Sequence, residues 1–200
     1  MDYYTIKGFV RIKQKIKKST FIASAYPINN ELEAKNYIGA IKKEFYDSKH
    51  SPFAYIIKKE RILERYNDDG EPALSSGPPI LNHLKGRNIL NIIVIVTRYF
   101  GGIKLGIGGL IRAYGSSTAL VLEKADTIPY FLYHSVKIIY DYPDTNHVMH
   151  IIEKYNLKII ENSYDERATI IVMVDEDTIS SFTDEVETPT RPSIKTIILS

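Results

Sequence analysis

Residues 98–117, RYFGGIKLGIGGLIRAYGSS, hold six of the chain's eleven glycines: Gly101, Gly102, Gly106, Gly108, Gly109 and Gly115. Just upstream, residues 88–97 read NILNIIVIVT, a β-branched run of the kind that forms a strand buried on both faces. Downstream, residues 110–124 have the composition of a helix, with Ala113, Ala119 and Leu120 available for packing. A buried strand that hands over through glycines to a helix start makes an anion cradle. Glycine lets backbone N–H groups close on a ligand, and a helix N-terminus adds unpaired donors and a favourable dipole. Arg98, Lys104 and Arg112 are the cations around it.

Two familiar nucleotide loops do not fit. A P-loop needs Lys and then Ser or Thr after its last glycine, and Gly109 is followed by Leu110 and Ile111. A dinucleotide fingerprint begun at Gly106 finds Gly108, then Ile111 where the third glycine belongs. Ser116 and Ser117 lack a nucleophile elbow. The five histidines form no H-E-x-x-H pair, and His147 and His150 read as a surface pair on a helix.

Towards the N-terminus, residues 7–17 alternate with period two. Val10, Ile12 and Ile16 face one way, and Arg11, Lys13, Lys15 and Lys17 the other. Such a basic face either contacts phosphates or guards a sheet edge against pairing. Residues 20–26 form a second strand, and Asn29 or Asn30 caps a helix that carries Ala34, Ile38, Ile41 and Phe45. His50 precedes two more strands, over 53–57 and 61–66, and a turn at Asn67–Gly70. The loop NDDGEPALSSGPP, residues 67–79, carries Asp68, Asp69 and Glu71. Those carboxylates would hold a hard cation, act as a general acid and base, or form turns and helix caps. The ligand alternation of an EF-hand is missing. Residues 80–84 read as a short helix.

Past Lys124, residues 126–129 mark a boundary between a domain at 1–125 and another at 130–200. The second part follows the order βαββαβ of a ferredoxin-like domain. The fold class expected is α+β. Its two parts differ in charge: residues 1–125 carry 20 Lys and Arg against 11 Asp and Glu, and residues 126–200 carry 6 against 13. The basic part calls for a polyanionic partner, or the two parts attract each other. Without cysteine, disulfides, thiolate metal sites and cysteine nucleophiles are excluded. The N-terminus lacks the layout of a secretory signal, and no apolar run approaches the roughly 20 residues of a membrane helix. A cytoplasmic protein with no membrane contact is expected.

Taken together, Arg98-Tyr99-Phe100-Gly101-Gly102, Leu105-Gly106-x-Gly108-Gly109-Leu110 and Ala113-Tyr114-Gly115 resemble the signature of the YigZ/IMPACT family. Lys18-Ser19-x-Phe21-Ile22, His50 and Asp68-Asp69-Gly70-Glu71-Pro72 match the same pattern in order. The resemblance implies a first domain that is a two-layer α/β sandwich, like the second domain of a small-subunit ribosomal protein. It implies a second domain similar to one of elongation factor G. Eukaryotic relatives restrain a translation-control kinase, with an extra N-terminal domain that this sequence lacks. Leu74-Ser75-Ser76-Gly77 stands where the family commonly has Gly-Thr-Ala-Gly, and Pro52 where a cysteine is common.

The resulting expectation is a non-enzymatic, translation-linked binding protein that touches RNA or the ribosome. Arg11, Lys13, Lys15 and Lys17 would meet phosphates, with Arg98, Lys104 and Arg112 around a cradle of Gly101, Gly102, Gly106, Gly108 and Gly109. The alternatives are an enzyme or receptor for a phosphorylated small molecule at a cleft of His50, Asp68, Asp69 and Glu71, and an adaptor that binds protein through its acidic second domain. No metal or cofactor is called for.

Overall fold

The computed structural model describes residues 3–59 and 61–199. The chain divides into two units, Asp2–Tyr130 and Phe131–Ser200.

In the first unit, strands β1 (Tyr3–Ile6), β2 (Val10–Ile16) and β3 (Ser19–Pro27) lead into helix α1 (Glu31–Glu44). Then come β4 (Phe53–Lys58), β5 (Ile62–Asn67), α2 (Gly77–Gly86), β6 (Ile92–Tyr99), α3 (Ile107–Lys124) and β7 (Thr127–Tyr130). Five strands form an antiparallel sheet in the order β2-β3-β6-β4-β5, and β1 pairs with β7 apart from it. That last pairing keeps Thr127–Tyr130 in the first unit, so the division falls after it.

The central strand β6 sets the layering. Ile93 and Ile95 join Tyr55 and Ile57 of β4 and Ala34 and Ile41 of α1 in one core. Val94, Val96 and Arg98 lie in register with Ala25, Ala23 and Phe21 on the opposite face. There the Phe21 ring meets Tyr114 of α3 edge-on at 5.3 Å. Helix α2 shares that face, since His83 packs on Gly115 of α3. The expected two-layer sandwich is therefore corrected to three layers, with α1 on one side and α2 and α3 on the other. A strand apolar on both faces needs cover on both.

Local chemistry explains the helix starts. Asn30 accepts the Glu33 N–H at 2.9 Å, and the Glu33 carboxylate accepts the Asn29 N–H at 2.7 Å, a reciprocal cap for α1. Helix α2 begins three residues before the expected 80, because a distant carboxylate described below holds its first N–H groups.

The second unit runs β8 (Tyr133–Tyr140), a 3-10 turn (Tyr142–Asp144), α4 (Thr145–Lys154), β9 (Lys158–Tyr164), β10 (Ala168–Asp175), α5 (Ile179–Val186) and β11 (Lys195–Ile198). Its strands are antiparallel in the order β11-β8-β10-β9, the βαββαβ connectivity read from the sequence. Val136, Ile138 and Tyr140 of β8 pack with Val148, Ile151 and Ile152 of α4 and Phe182 and Val186 of α5. Among the described residues, no helix is long and apolar enough to cross a membrane.

Candidate functional site

The glycines of the 98–117 stretch serve mainly turn and packing. A Cβ on Gly101 would lie 2.0 Å from the Lys18 carbonyl oxygen, so only glycine lets this loop press on the β2–β3 turn. Gly102 and Gly106 take φ of +87° and +70°. Gly106 caps α3 with no side chain to accept the first N–H groups. A Cβ on Gly109 would meet Leu105 at 3.0 Å, and on Gly108 only the Arg112 guanidinium at 3.6 Å.

Arg98, at the end of β6, is 8% exposed. Its Nη1 donates to Glu71 Oε1 at 2.7 Å, and the Tyr114 hydroxyl donates to the same oxygen at 2.6 Å. Burial and that donation to Glu71 hold the Tyr114 hydroxyl protonated far above the ordinary tyrosine range. The guanidinium sits 5.7 Å from the Phe21 ring centre and 5.5 Å from that of Phe100. Its Nε–H is buried and has no hydrogen-bond partner among the described residues.

Sequence reading left open whether Asp68, Asp69 and Glu71 hold a cation, work as acid and base, or cap and turn. Each proves to have its own protein partners. Asp68 Oδ1 accepts the Ser76 N–H and hydroxyl and the Gly77 N–H at 2.9, 2.6 and 2.8 Å, and its Oδ2 accepts the Leu74 N–H at 2.8 Å. It thereby caps α2 from eight residues away. Asp69, at φ +45°, accepts the Ser51 N–H at 2.7 Å and the Lys42 ammonium at 2.6 Å. The Asp69 carbonyl lies 2.9 Å from His50 Nδ1. Among the described residues, no three His, Asp or Glu side chains are grouped to hold a metal ion.

Burial pushes the Asp68 carboxyl up, but donation from Ser76, Gly77 and Leu74 outweighs it and leaves the value below the ordinary aspartate range. A carboxylate held below its unfolded value gives stability that is present above that value and lost as pH falls through the folded one. The first unit should therefore lose stability below about pH 3.9. Acid unfolding of the wild type and Asp68→Asn measures this: the wild type should be the more stable by a constant margin well above that point, and the two pH profiles should converge below it.

A cavity of about 590 Å³ in the first unit brings His50, Glu71, Arg98, Lys104 and Gly106 together. The backbone helps set this convergence, because the Arg98 N–H donates to the His50 carbonyl at 2.9 Å. Phe100, Leu105, Ile107, Leu110 and Pro72 supply apolar wall, and Lys49, Asp47 and Tyr99 complete the lining. The Tyr99 hydroxyl donates to Asp47 at 2.6 Å, which pushes its pKa up to about 12. Asp68, Asp69, Gly101, Gly102, Gly108, Gly109 and Arg112 do not line the cavity. Arg112 borders a separate recess with Lys17, Leu105 and Gly109.

The basic strip lies elsewhere. Arg11, Lys13 and Lys15 stand in register with Ser24, Ile22 and Thr20, on the sheet face that carries α1, whereas Arg98 faces α3. Strip and cradle are thus on opposite faces. Strand β2 is at the sheet edge, where lysines also discourage pairing. Arg11 is engaged: Nη1 and Nη2 donate to Glu44 at 2.5 and 2.8 Å, and Nε to Ser24 at 2.8 Å. Lys13, Lys15 and Lys17 are exposed and make no ion pair among the described residues. Lys17 and Lys18 form the β2–β3 turn at φ +44° and +67°.

Beside this strip is a feature sequence reasoning missed. Phe9 stacks on Tyr26 at 4.7 Å, and Tyr26 on Tyr37 at 4.1 Å. Phe9 is 54% exposed and caps the stack. The parity of Phe9 with Arg11 was a signal; the place of Tyr37 depends on how α1 docks. In the second unit Lys154, Arg167 and Arg191 pair with Glu185, Asp141 and Asp144, while Glu161, Glu166 and Asp184 stay exposed.

Comparison with known proteins places this geometry. The Impact N-terminal domain family matches residues 17–122, and a domain of unknown function, DUF1949, matches residues 138–190. The chain is 34% identical to the IMPACT family member YvyE of Bacillus subtilis, over 92% of this chain and 84% of that one. It is 31% identical to an IMPACT family member of Haemophilus influenzae, over 92% and 91%. Protein IMPACT of Homo sapiens shares 32% identity over 45% of this chain and 29% of its own length. A crystal structure of a hypothetical protein superposes over the full chain and 98% of its own, with a TM-score of 0.66 and 25% identity.

Proposed function

We propose that this chain, which belongs to the IMPACT family, is a translation-linked binding protein of the cytoplasm whose basic first unit contacts single-stranded RNA through β2. The observation that carries this reading is the exposed Lys13 and Lys15, which make no ion pair among the described residues, on the same sheet face as the Phe9–Tyr26–Tyr37 stack. Alternate residues of a strand recur about every 6.6 Å, so the lysines make a regular cationic row. A basic row with an exposed aromatic end suits a phosphate backbone and a stacked base. The translation link rests on the family resemblance. The kinase restraint of eukaryotic relatives is not carried over, because the human protein is matched over only 29% of its length.

An acid–base enzyme built on the 68–71 loop is disfavoured by the partners that already occupy its carboxylates.

Anisotropy of a labelled RNA strand across a salt series tests the proposal. Affinity should fall steeply with salt, and Lys13→Glu with Lys15→Glu should reduce the slope of log affinity against log salt by roughly 1.4. The loss should be similar for all sequences, because phosphates carry little sequence information. Phe9→Ala should weaken binding by about 1–3 kcal/mol. A flat salt response, or charge-reversed protein that binds as tightly as the wild type, would overturn it.

A further inference from the structure

We propose that the cavity around Arg98 is a receptor site for a small carboxylate with an apolar body, separate from the RNA-contacting face. Its volume of about 590 Å³ lies within the roughly 300–1,000 Å³ common for small-molecule pockets. The decisive feature is the state of Arg98. Nη1 is engaged by Glu71, while the buried Nε–H has no partner. A buried donor left unpaired is costly, and such groups are rare in native proteins. Phe21 and Phe100 border the guanidinium of Arg98, and Arg98 lines the cavity.

A second anion-favouring element lies in the same lining. Helix α3 starts at Gly106 and Ile107 with no side-chain cap, so its first N–H groups and dipole favour negative charge there.

The charge balance selects the kind of anion. Three cations in the lining, Lys49, Arg98 and Lys104, stand against the carboxylates of Asp47 and Glu71. His50 directs Nδ1 at the Asp69 carbonyl, which can only accept, so that nitrogen is the donor in this contact and Nε2 is not used by it. One net positive charge remains. A carboxylate matches it, whereas a phosphate monoester brings about −1.5 to −2 and would meet Glu71. Leu105, Ile107 and Leu110 then take an apolar body.

The test follows the Arg98 Nε–H signal of the ¹⁵N-labelled full chain during titration with 3-phenylpropionate, 3-phenylpropionamide and phenyl phosphate. The acid should move that signal, while the amide and the phosphate bind about ten- to a hundredfold more weakly. Arg98→Lys should weaken the acid by about tenfold or more, and the wild-type comparison decides the matter if that variant fails to fold. A peptide with a free C-terminus, set against its amidated form, identifies the source. Binding of the free-ended peptide alone would place the carboxylate on a chain end, and binding of phenylpropionate without either peptide would place it on a free acid; both support the site. An amide that binds as well as the acid, a phosphate that binds better, or an unmoved Arg98 signal at saturating acid would overturn it. Lys13 and Lys15 lie on the opposite sheet face, so the RNA reading is tested independently.

Discussion

Replacing Glu71 with alanine is expected to destabilise the first unit by about 3–5 kcal/mol. The Arg98–Glu71 pair is buried, with side-chain exposures of 8% and 3%. Removing the carboxylate leaves a guanidinium buried with no counter-charge and takes the acceptor from the Tyr114 hydroxyl. Desolvation of an unpaired charge exceeds anything the cavity walls return. Glu71→Gln should do less damage, because an amide oxygen still accepts from both donors. The double change Glu71→Leu with Arg98→Met should recover much of the loss, since a buried ion pair replaced by well-packed apolar groups is often neutral. Urea unfolding of these variants measures the series. A loss under about 1 kcal/mol for Glu71→Ala would mean that the pair is hydrated like a surface salt bridge.

Gly101→Ala should cost roughly 3 kcal/mol or more, whereas Gly115→Ala should be close to neutral. Both glycines belong to the same stretch, yet their surroundings differ. At Gly101 the new methyl would meet the backbone of Lys18, with the carbonyl oxygen at 2.0 Å and its carbon at 2.1 Å. Neither atom can give way unless the tight turn at Lys17 and Lys18 moves, and that turn already holds two lysines at positive φ. At Gly115 the neighbour is the imidazole of His83, Nε2 at 2.9 Å, the far end of a side chain that can rotate. Alanine also favours a helix interior over glycine by about 1 kcal/mol. Urea unfolding separates the cases, and equal losses would contradict the packing described.

Much of this was legible in the residues. The alternation of β2, the doubly apolar β6 and the βαββαβ rhythm of the second unit follow from side-chain periodicity, which local sequence carries. The glycines read as a cradle, but only the approach of Lys18 shows why residue 101 must be glycine, and that contact spans more than 80 residues. The early start of α2 escaped for a similar reason, since its cap, Asp68, stands outside the helix and its first turn. The sequence puts His50 and Glu71 in a candidate cleft with Asp68 and Asp69, and Arg98 at the glycine cradle; in the structure His50, Glu71 and Arg98 line one cavity. Asp68 and Asp69 were grouped with them by proximity in the chain, whereas their side chains turn to backbone and Lys42. Arg11 was counted with the free lysines because nothing local reveals its pairing with Glu44, 33 residues away. The layer count failed where a two-sided strand was recognised but the consequence for helix placement was not drawn.

The most direct test of RNA contact through β2 is amide NMR of the ¹⁵N-labelled chain titrated with a short single-stranded RNA at low salt. The proposal predicts shifts at Phe9, Lys13, Lys15 and Tyr37, fading as salt is added, with Arg98 and the acidic second unit unmoved. Shifts confined to the Arg98 cavity or to residues 131–199, or none at all, would contradict it.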